Sequence, residues 1–304
     1  MHEAPPPRKA TARPSGGVLA FAALLGGNVA LAFGPVFVRL TDVGPVAAGF
    51  WRIALATPLL LALAVMTGGR LIANARGLGW VLAASGLLFA GDLASWHVGI
   101  LHTKLANATL FGNAASFVFP LYGFLVARAW PTRLQALALA LAATGAALLM
   151  GRSYQLDPQN LVGDLLCLLA GILYAGYFIM MARARARMAP LPALSLSSAA
   201  SILPLLFAAA LLGERIWPAQ WTPLLGLALC SQVIGQGLMI YALGRFTPLL
   251  IGLALLTQPV VAATVGWLAY GEMLGTADLL GAALVAAALV LVRIAPERRV
   301  VVTP

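Results

Sequence analysis

Charge is scarce in this chain. Asp, Glu, Lys and Arg make up only 9% of 304 residues, hydrophobic residues make up 62%, and the mean hydropathy is +0.95. A soluble protein of this length could not cover its surface with so few charges, so that class is excluded. Cysteine is almost absent: Cys167 and Cys230 both fall inside apolar stretches, which excludes a disulfide framework and leaves two small packing residues. With three histidines, and acids placed mostly at the ends of apolar stretches, no metal site and no cofactor is expected.

Long apolar runs are what the chain has instead. Crossing a bilayer core takes about 20 apolar residues per helix. Ten such segments are predicted, at 17–38, 45–67, 78–101, 104–127, 133–150, 162–182, 191–213, 221–244, 247–270 and 275–293. They are unbroken and rich in Leu and Ala, which fits helices rather than barrel strands. The expected fold class is an all-α integral membrane protein, multi-pass, with loops too short to hold a soluble domain. The tail "MHEAPPPRKATARPSGG" could pass for a signal peptide, but no small-residue cleavage site follows and it is expected to be retained.

A net charge of +10 would suggest a nucleic-acid partner, but the distribution of that charge excludes one. With a cytoplasmic N-terminus, the inside segments hold Arg8, Lys9, Arg13, Arg70, Arg76, Arg128, Arg133, Arg183, Arg185, Arg187, Arg245, Arg293, Arg298 and Arg299. The outside segments hold only Arg39, Lys104, Arg152 and Arg215. That asymmetry is the positive-inside signal of an inner-membrane protein with both termini in the cytoplasm.

An even number of spans invites a search for duplication. One constant offset aligns Gly17 with Gly163 and Pro58 with Pro204, and a slightly shorter one aligns Gly123 with Gly266, Leu141 with Leu284 and Ala143 with Ala286. The expected organisation is a basic tail at 1–16, a five-helix repeat at 17–151, a periplasmic linker at 152–161, a second five-helix repeat at 162–293 and a tail at 294–304. A unit with an odd number of spans inserts its second copy upside down, and such inverted repeats mark secondary transporters with a site near the midplane.

Three stretches carry a family resemblance. "PVAAGFWRIALATPLLLAL" resembles the second helix of EamA-type proteins of the drug/metabolite transporter superfamily, with Pro45 opening the helix and Arg52 about two turns in. "TQPVVAATVGWLAYGEMLGTADLLGAALVAAALVLV", residues 257–292, is similar to the family's ninth and tenth helices, with Pro259, Gly266–Trp267 and Gly271–Glu272. "NAASFVFPLYGFLVARAWPTRLQ" is the weaker first-half version, with Ser116 where the family has Pro and Ala129 where it has Glu. The resemblance implies an EamA fold of ten helices in two inverted repeats and export of a small metabolite. YddG-like exporters of aromatic and other amino acids are the nearest group, and carriers of nucleosides and sugar phosphates are relatives.

Polar side chains at membrane depth are costly and therefore informative. Arg52 faces a cavity, pairs with Asp92 at similar depth, or snorkels to the outer interface. Its counterpart under the offset is Ser198. Asp92, Ser95, Trp96 and Gly99 share a helix face, whereas His97 points away from it. Asn113 lies on a stripe with Ser116 and Pro120, and Gln232 and Gln236 lie on another. Tyr174, Tyr177 and Phe178 form an aromatic stripe suited to an apolar wall. Gln258–Pro259, Pro120 and Gly34–Pro35 are candidate helix breaks or hinges. The expected site is thus Arg52, Asp92, Trp96, Asn113, Tyr174, Tyr177, Phe178, Gln232, Gln236 and Gln258, with Pro35, Pro120 and Pro259 as breaks. The expected partners are the lipid bilayer and a small-molecule substrate, an amino acid or similar metabolite, in a monomer or homodimer. Nucleosides, drugs and sugar phosphates are the alternative cargo. A channel or a membrane enzyme fits less well, because polarity concentrates at mid-depth and no nucleophile–base pair is present.

The charge asymmetry makes one outcome specific. A fluorescent protein fused after Pro304 is expected to fluoresce in the cytoplasm, and alkaline phosphatase at the same position is expected to be inactive. Active phosphatase there would overturn the topology.

Overall fold

The computed structural model describes residues 17–69, 71–103, 108, 111–151, 158–270 and 275–294. The predicted tail at 1–16, most of the tail at 294–304 and of the linker at 152–161, and Arg70, Lys104 and Glu272 lie outside the described residues. All regular structure among the described residues is helical. In chain order the main helices are α1 (Val18–Ala32), α2 (Gly34–Leu40), α3 (Pro45–Met66), α4 (Gly79–Gly99), α5 (Ala115–Ala127) and α6 (Arg133–Gly151). They continue as α7 (Leu161–Arg185), α8 (Pro190–Leu211), α9 (Thr222–Leu243), α10 (Pro248–Leu255), α11 (Thr257–Tyr270) and α12 (Thr276–Ile294).

Among the described residues eight helical stretches are long and apolar enough to cross a membrane, counting α1 with α2 and α10 with α11; α5 and the part of α6 at Arg133–Leu148 are shorter apolar helices. Large apolar side chains such as Leu59, Leu87, Leu125, Leu203 and Phe207 point outward. An exterior of this kind is stable against lipid and unstable against water.

Helix starts and breaks follow local chemistry. Pro45, Pro190 and Pro248 stand in the first turn of α3, α8 and α10, where a missing N–H costs nothing. Thr247 also caps α10, accepting from the Leu250 N–H at 3.4 Å. Pro58 and Pro204 instead lie inside α3 and α8, which continue through them. Nearby hydroxyls bond to the backbone there: Thr57 donates to the Ile53 carbonyl at 2.8 Å, and Ser201 donates to Ser197 at 3.1 Å and to Gly86 at 3.0 Å.

The helices interlock across the two halves of the chain. α4 packs on α7, α3 on α8, α6 on α12, α5 on α10 and α1 on α9. Small residues permit these approaches: a Cβ built on Gly86 would stand 2.5 Å from the Ala200 Cβ, and one on Gly252 would stand 2.5 Å from the Pro120 ring. Beside Gly86, Ser85 donates to Ser197 at 2.7 Å, tying α4 to α8.

At one end of the bundle the α8–α9 loop clasps the start of α3. Glu214 accepts from the backbone N–H groups of Val46 (3.2 Å) and Ala47 (2.7 Å), which have no partner within the helix. Trp51 Nε1 donates to the Ile216 carbonyl at 2.7 Å, and its indole meets Trp217 and Trp221 with ring centroids 5.5 and 4.9 Å away. Asp42 pairs with Arg215 at 3.3 Å and accepts from the Ala219 N–H at 2.7 Å; that N–H, with Arg215 adding to it, holds the carboxyl below its ordinary range.

Glu214→Ala removes two charge-assisted bonds at a helix N-terminus, a loss of about 1–2 kcal/mol. The thermal midpoint of the purified protein is expected to fall, whereas Arg215→Ala, a change on the exposed rim, is expected to move it less.

Candidate functional site

Irregular helix geometry converges on one place. α1 gives way to α2 at Phe33, two residues before Pro35; α10 gives way to α11 at Leu256, three residues before Pro259. A turn at Asn113–Ala114 precedes α5, which then carries Pro120 within it. In α9 the central stretch Leu227–Gln236 is a π-helix, flanked by α-helix on both sides. Leu31, Pro35, Asn113, Ala115, Leu227, Leu255, Gln258 and Pro259, taken from these four places, all line one cavity of about 180 Å³.

The rest of the lining comes from straight helix. α3 supplies Arg52; α4 supplies Phe89, Asp92, Leu93, Trp96 and His97; α7 supplies Tyr174. The cavity occupies the half of the bundle nearer the α2–α3 turn. Toward the other end Phe119, Tyr177, Phe178, Met181 and Met239 are fully buried, with Phe178 packed on both Phe119 and Tyr177.

Arg52 is 8% exposed, and its Nε donates to Gln232 Oε1 at 3.1 Å. Gln232 in turn donates from Nε2 to Ser198 Oγ at 3.0 Å. The amide therefore bridges Arg52 to the residue that the sequence offset makes its counterpart. The guanidinium carbon also lies 5.6 Å from the centroid of the Phe89 ring. Of the three arrangements the sequence allows, Arg52 takes the cavity-facing one: it and Asp92 both line the cavity, but no contact within 4.0 Å joins them among the described residues. α3 packs more extensively on α8 and α9 than on α4, so the nearest polar partner for Arg52 is an amide on α9. Arg52 does not snorkel.

Two more buried links border the cavity. Tyr174 donates to Gln236 Oε1 at 3.2 Å, and its ring packs on Phe89, Tyr177 and Phe178. Gln258 Nε2 donates to Asn28 Oδ1 at 3.0 Å, while Asn28 Nδ2 donates to the Leu24 carbonyl at 2.9 Å and to the Met239 sulfur at 3.2 Å. Gln236 Nε2, Tyr177 Oη and Ser231 Oγ are buried without a hydrogen-bond partner among the described residues.

Of the residues singled out from sequence, Arg52, Asp92, Trp96, Asn113, Tyr174, Gln258, Pro35 and Pro259 line the cavity. Gln232, Gln236, Tyr177 and Phe178 stand behind it, holding or packing its wall. Pro120 does not reach it and packs against Gly252. His97, expected to point away from the Asp92–Trp96 face, lines the same cavity, against Gly49 of α3. A cavity that wraps around a helix collects residues from more than one face of the helical wheel. Phe89 was missed altogether, although it lies one turn before Asp92 and an i, i+3 search from the carboxylate would have found it.

The fold and the cavity define a class: a multi-pass helical membrane protein with a mixed-charge, aromatic-walled chamber in the half of the bundle nearer the α2–α3 turn. Residues 161–294 match the EamA-like transporter family. Members of this family are membrane transporters of small molecules. Among solved structures 29 chains match; one, a crystal structure titled only as a protein, is 16% identical, with a TM-score of 0.75 over 92% of this chain and 97% of that one. That likeness concerns the fold. No curated protein sequence matches the chain.

The Gln232 bridge has a measurable signature. Gln232→Leu strips Arg52 of a charged hydrogen bond, a loss of about 1.5–3 kcal/mol. The thermal midpoint is expected to fall, and the losses from Gln232→Leu and Arg52→Leu are expected not to add in the double variant.

Proposed function

We propose that the protein is a secondary transporter of the bacterial inner membrane that exports amino acids, aromatic ones included, by alternating access between two inverted five-helix repeats. The observation that carries the reading is the pairing in one mid-depth cavity of a cation, Arg52, and an anion, Asp92, kept apart and walled by Phe89, Trp96 and Tyr174. Separated opposite charges suit a zwitterion, and the aromatic faces suit an apolar side chain. A volume of about 180 Å³ favours a small solute over drug-sized cargo, which takes about 300–1,000 Å³. A sugar phosphate would leave Asp92 facing like charge.

Packing supports the repeat. If α1–α2 corresponds to α7, α3 to α8, α4 to α9, α5 to α10–α11 and α6 to α12, then α3 with α8, α5 with α10 and α6 with α12 are pairs of counterparts. Of the other close pairs, α4 with α7 exchanges with α9 with α1, and α4 with α8 exchanges with α9 with α3. A two-fold relation requires that pattern. One closed end and one cavity-bearing end supports a carrier in a single state over a continuous channel. The positive-inside asymmetry supports cytoplasmic termini.

Counterflow in proteoliposomes tests the reading. Vesicles preloaded with phenylalanine are expected to accumulate labelled phenylalanine saturably, and Arg52→Gln is expected to cut uptake on the order of tenfold or more. If phenylalanine, tryptophan, methionine and threonine all fail to exchange, the amino-acid reading fails.

A further inference from the structure

At the end of the bundle away from the cavity, one arginine joins three helices. Arg185, half-buried in the last turn of α7, donates from Nε to the Ile240 carbonyl at 2.9 Å and from Nη1 to the Met188 carbonyl. Ile240 lies in the last turn of α9, where carbonyls have no partner within the helix, and Met188 lies just ahead of α8. Gly244 leaves room for the guanidinium: a Cβ there would stand 2.5 Å from Nη2, although the backbone, at φ −80°, suits any residue.

Neutralising the end of α9 does not call for Arg185. Such a terminus carries about half a negative charge, and Arg245 already meets it, donating to the Tyr241 carbonyl at 3.2 Å. Arg245 is also within electrostatic reach of Arg185. A second cation beside the first adds repulsion, so what Arg185 contributes is a connection. A connection opposed by a like charge can hold and can also be released.

The offset that aligns Gly17 with Gly163 and Pro58 with Pro204 also aligns Arg39 with Arg185. Arg39 ends α2, which corresponds to the end of α7, and α4 corresponds to α9. An image of the Arg185 bond would therefore run from Arg39 to the carbonyls at the end of α4. That bond is open: Arg39 is exposed, and no hydrogen bond, ion pair or ring contact joins it to any described residue. The cavity lies where the bond would close, lined by Pro35 and Val38 of α2 and by Trp96 and His97 of α4.

We propose that Arg185 and Arg39 are alternating latches, each holding shut the end of the bundle at which it stands. With the cavity end open, Arg185 is fastened to α9 and Arg39 is loose. When the cavity end closes, Arg39 fastens to the end of α4 and Arg185 lets go. The latches rest on the two-repeat, alternating-access reading, and they are indifferent to which solute is carried.

The test is pulsed electron-spin distance measurement on the purified full-length protein, with Cys167 and Cys230 replaced by Ala. Labels at Ala186 and Val18 span the end held by Arg185, because α1 packs on α9; labels at Leu40 and Leu101 span the cavity end, and all four positions are exposed. Arg185→Gln is expected to raise the ratio of molecules open at the Arg185 end to molecules shut there by about tenfold or more, with the cavity-end distance shortening in step. Gly244→Ala, which displaces the guanidinium and keeps its charge, is expected to act in the same direction, and it decides the matter should Arg185→Gln fail to fold. Arg39→Gln added to Gly244→Ala is expected to reverse the shift, a result that a merely structural arginine would not give. Distances unmoved by Arg185→Gln and Gly244→Ala, or no reversal by Arg39→Gln, overturn the latches. Phenylalanine counterflow in the same background separates the two readings. Exchange with unmoved distances keeps the amino-acid reading without the latches, and moved distances with no amino acid exchanged keep the latches without that cargo.

Discussion

A guanidinium inside a bundle of apolar helices must find its polar neighbours in protein, because hydrocarbon offers none. Much of the cavity's architecture follows from meeting that requirement at Arg52. Gln232 comes in from α9, Ser198 from α8 steadies Gln232, and Phe89 from α4 presents its ring. Four helices drawn from both halves of the chain are thereby committed to one point. Bonding Nε to the amide fixes the long side chain and keeps the guanidinium apart from the nearby carboxylate. A direct Arg52–Asp92 pair would have cancelled both charges within the chamber.

The membrane-spanning elements were largely legible in the sequence, because their cause is one-dimensional. The predicted segment 45–67 is α3 at Pro45–Met66, and the segment 191–213 is α8 at Pro190–Leu211. Apolar length marks the span, and proline with its preceding residue marks the start. Proline was a weaker guide to breaks. Pro35 and Pro259 stand just after interruptions, Pro58 and Pro204 cause none, and the turn before α5 comes well ahead of Pro120. Whether a proline breaks a helix depends on what re-satisfies the carbonyl it frees, and that is supplied by neighbours the sequence does not reveal.

The cavity was legible in its residue types and less so in its contacts. Polar and aromatic groups at mid-depth pointed to Arg52, Asp92, Trp96, Tyr174 and Gln258, all of which line it. Comparing depth alone left the partner of Arg52 open, because the partner is chosen by which helices pack together. His97 was set aside on a helical wheel that assumes a flat neighbour, and the cavity curves around α4. The amides of α9 were placed in the lumen by an α-helical period that does not hold between Leu227 and Gln236.

That π-helical stretch ties two links together mechanically. Gln232 holds Arg52 of α3, and Gln236 holds Tyr174 of α7; both sit on the same ten wide-turned residues, with α-helix above and below. Wide turns are a metastable winding, flanked by the tighter one to which they can relax. If the stretch rewinds, it lengthens and rotates as a unit, and it cannot release the arginine without also moving the tyrosine. Charge and aromatic wall are thus anchored to the same ten residues of α9.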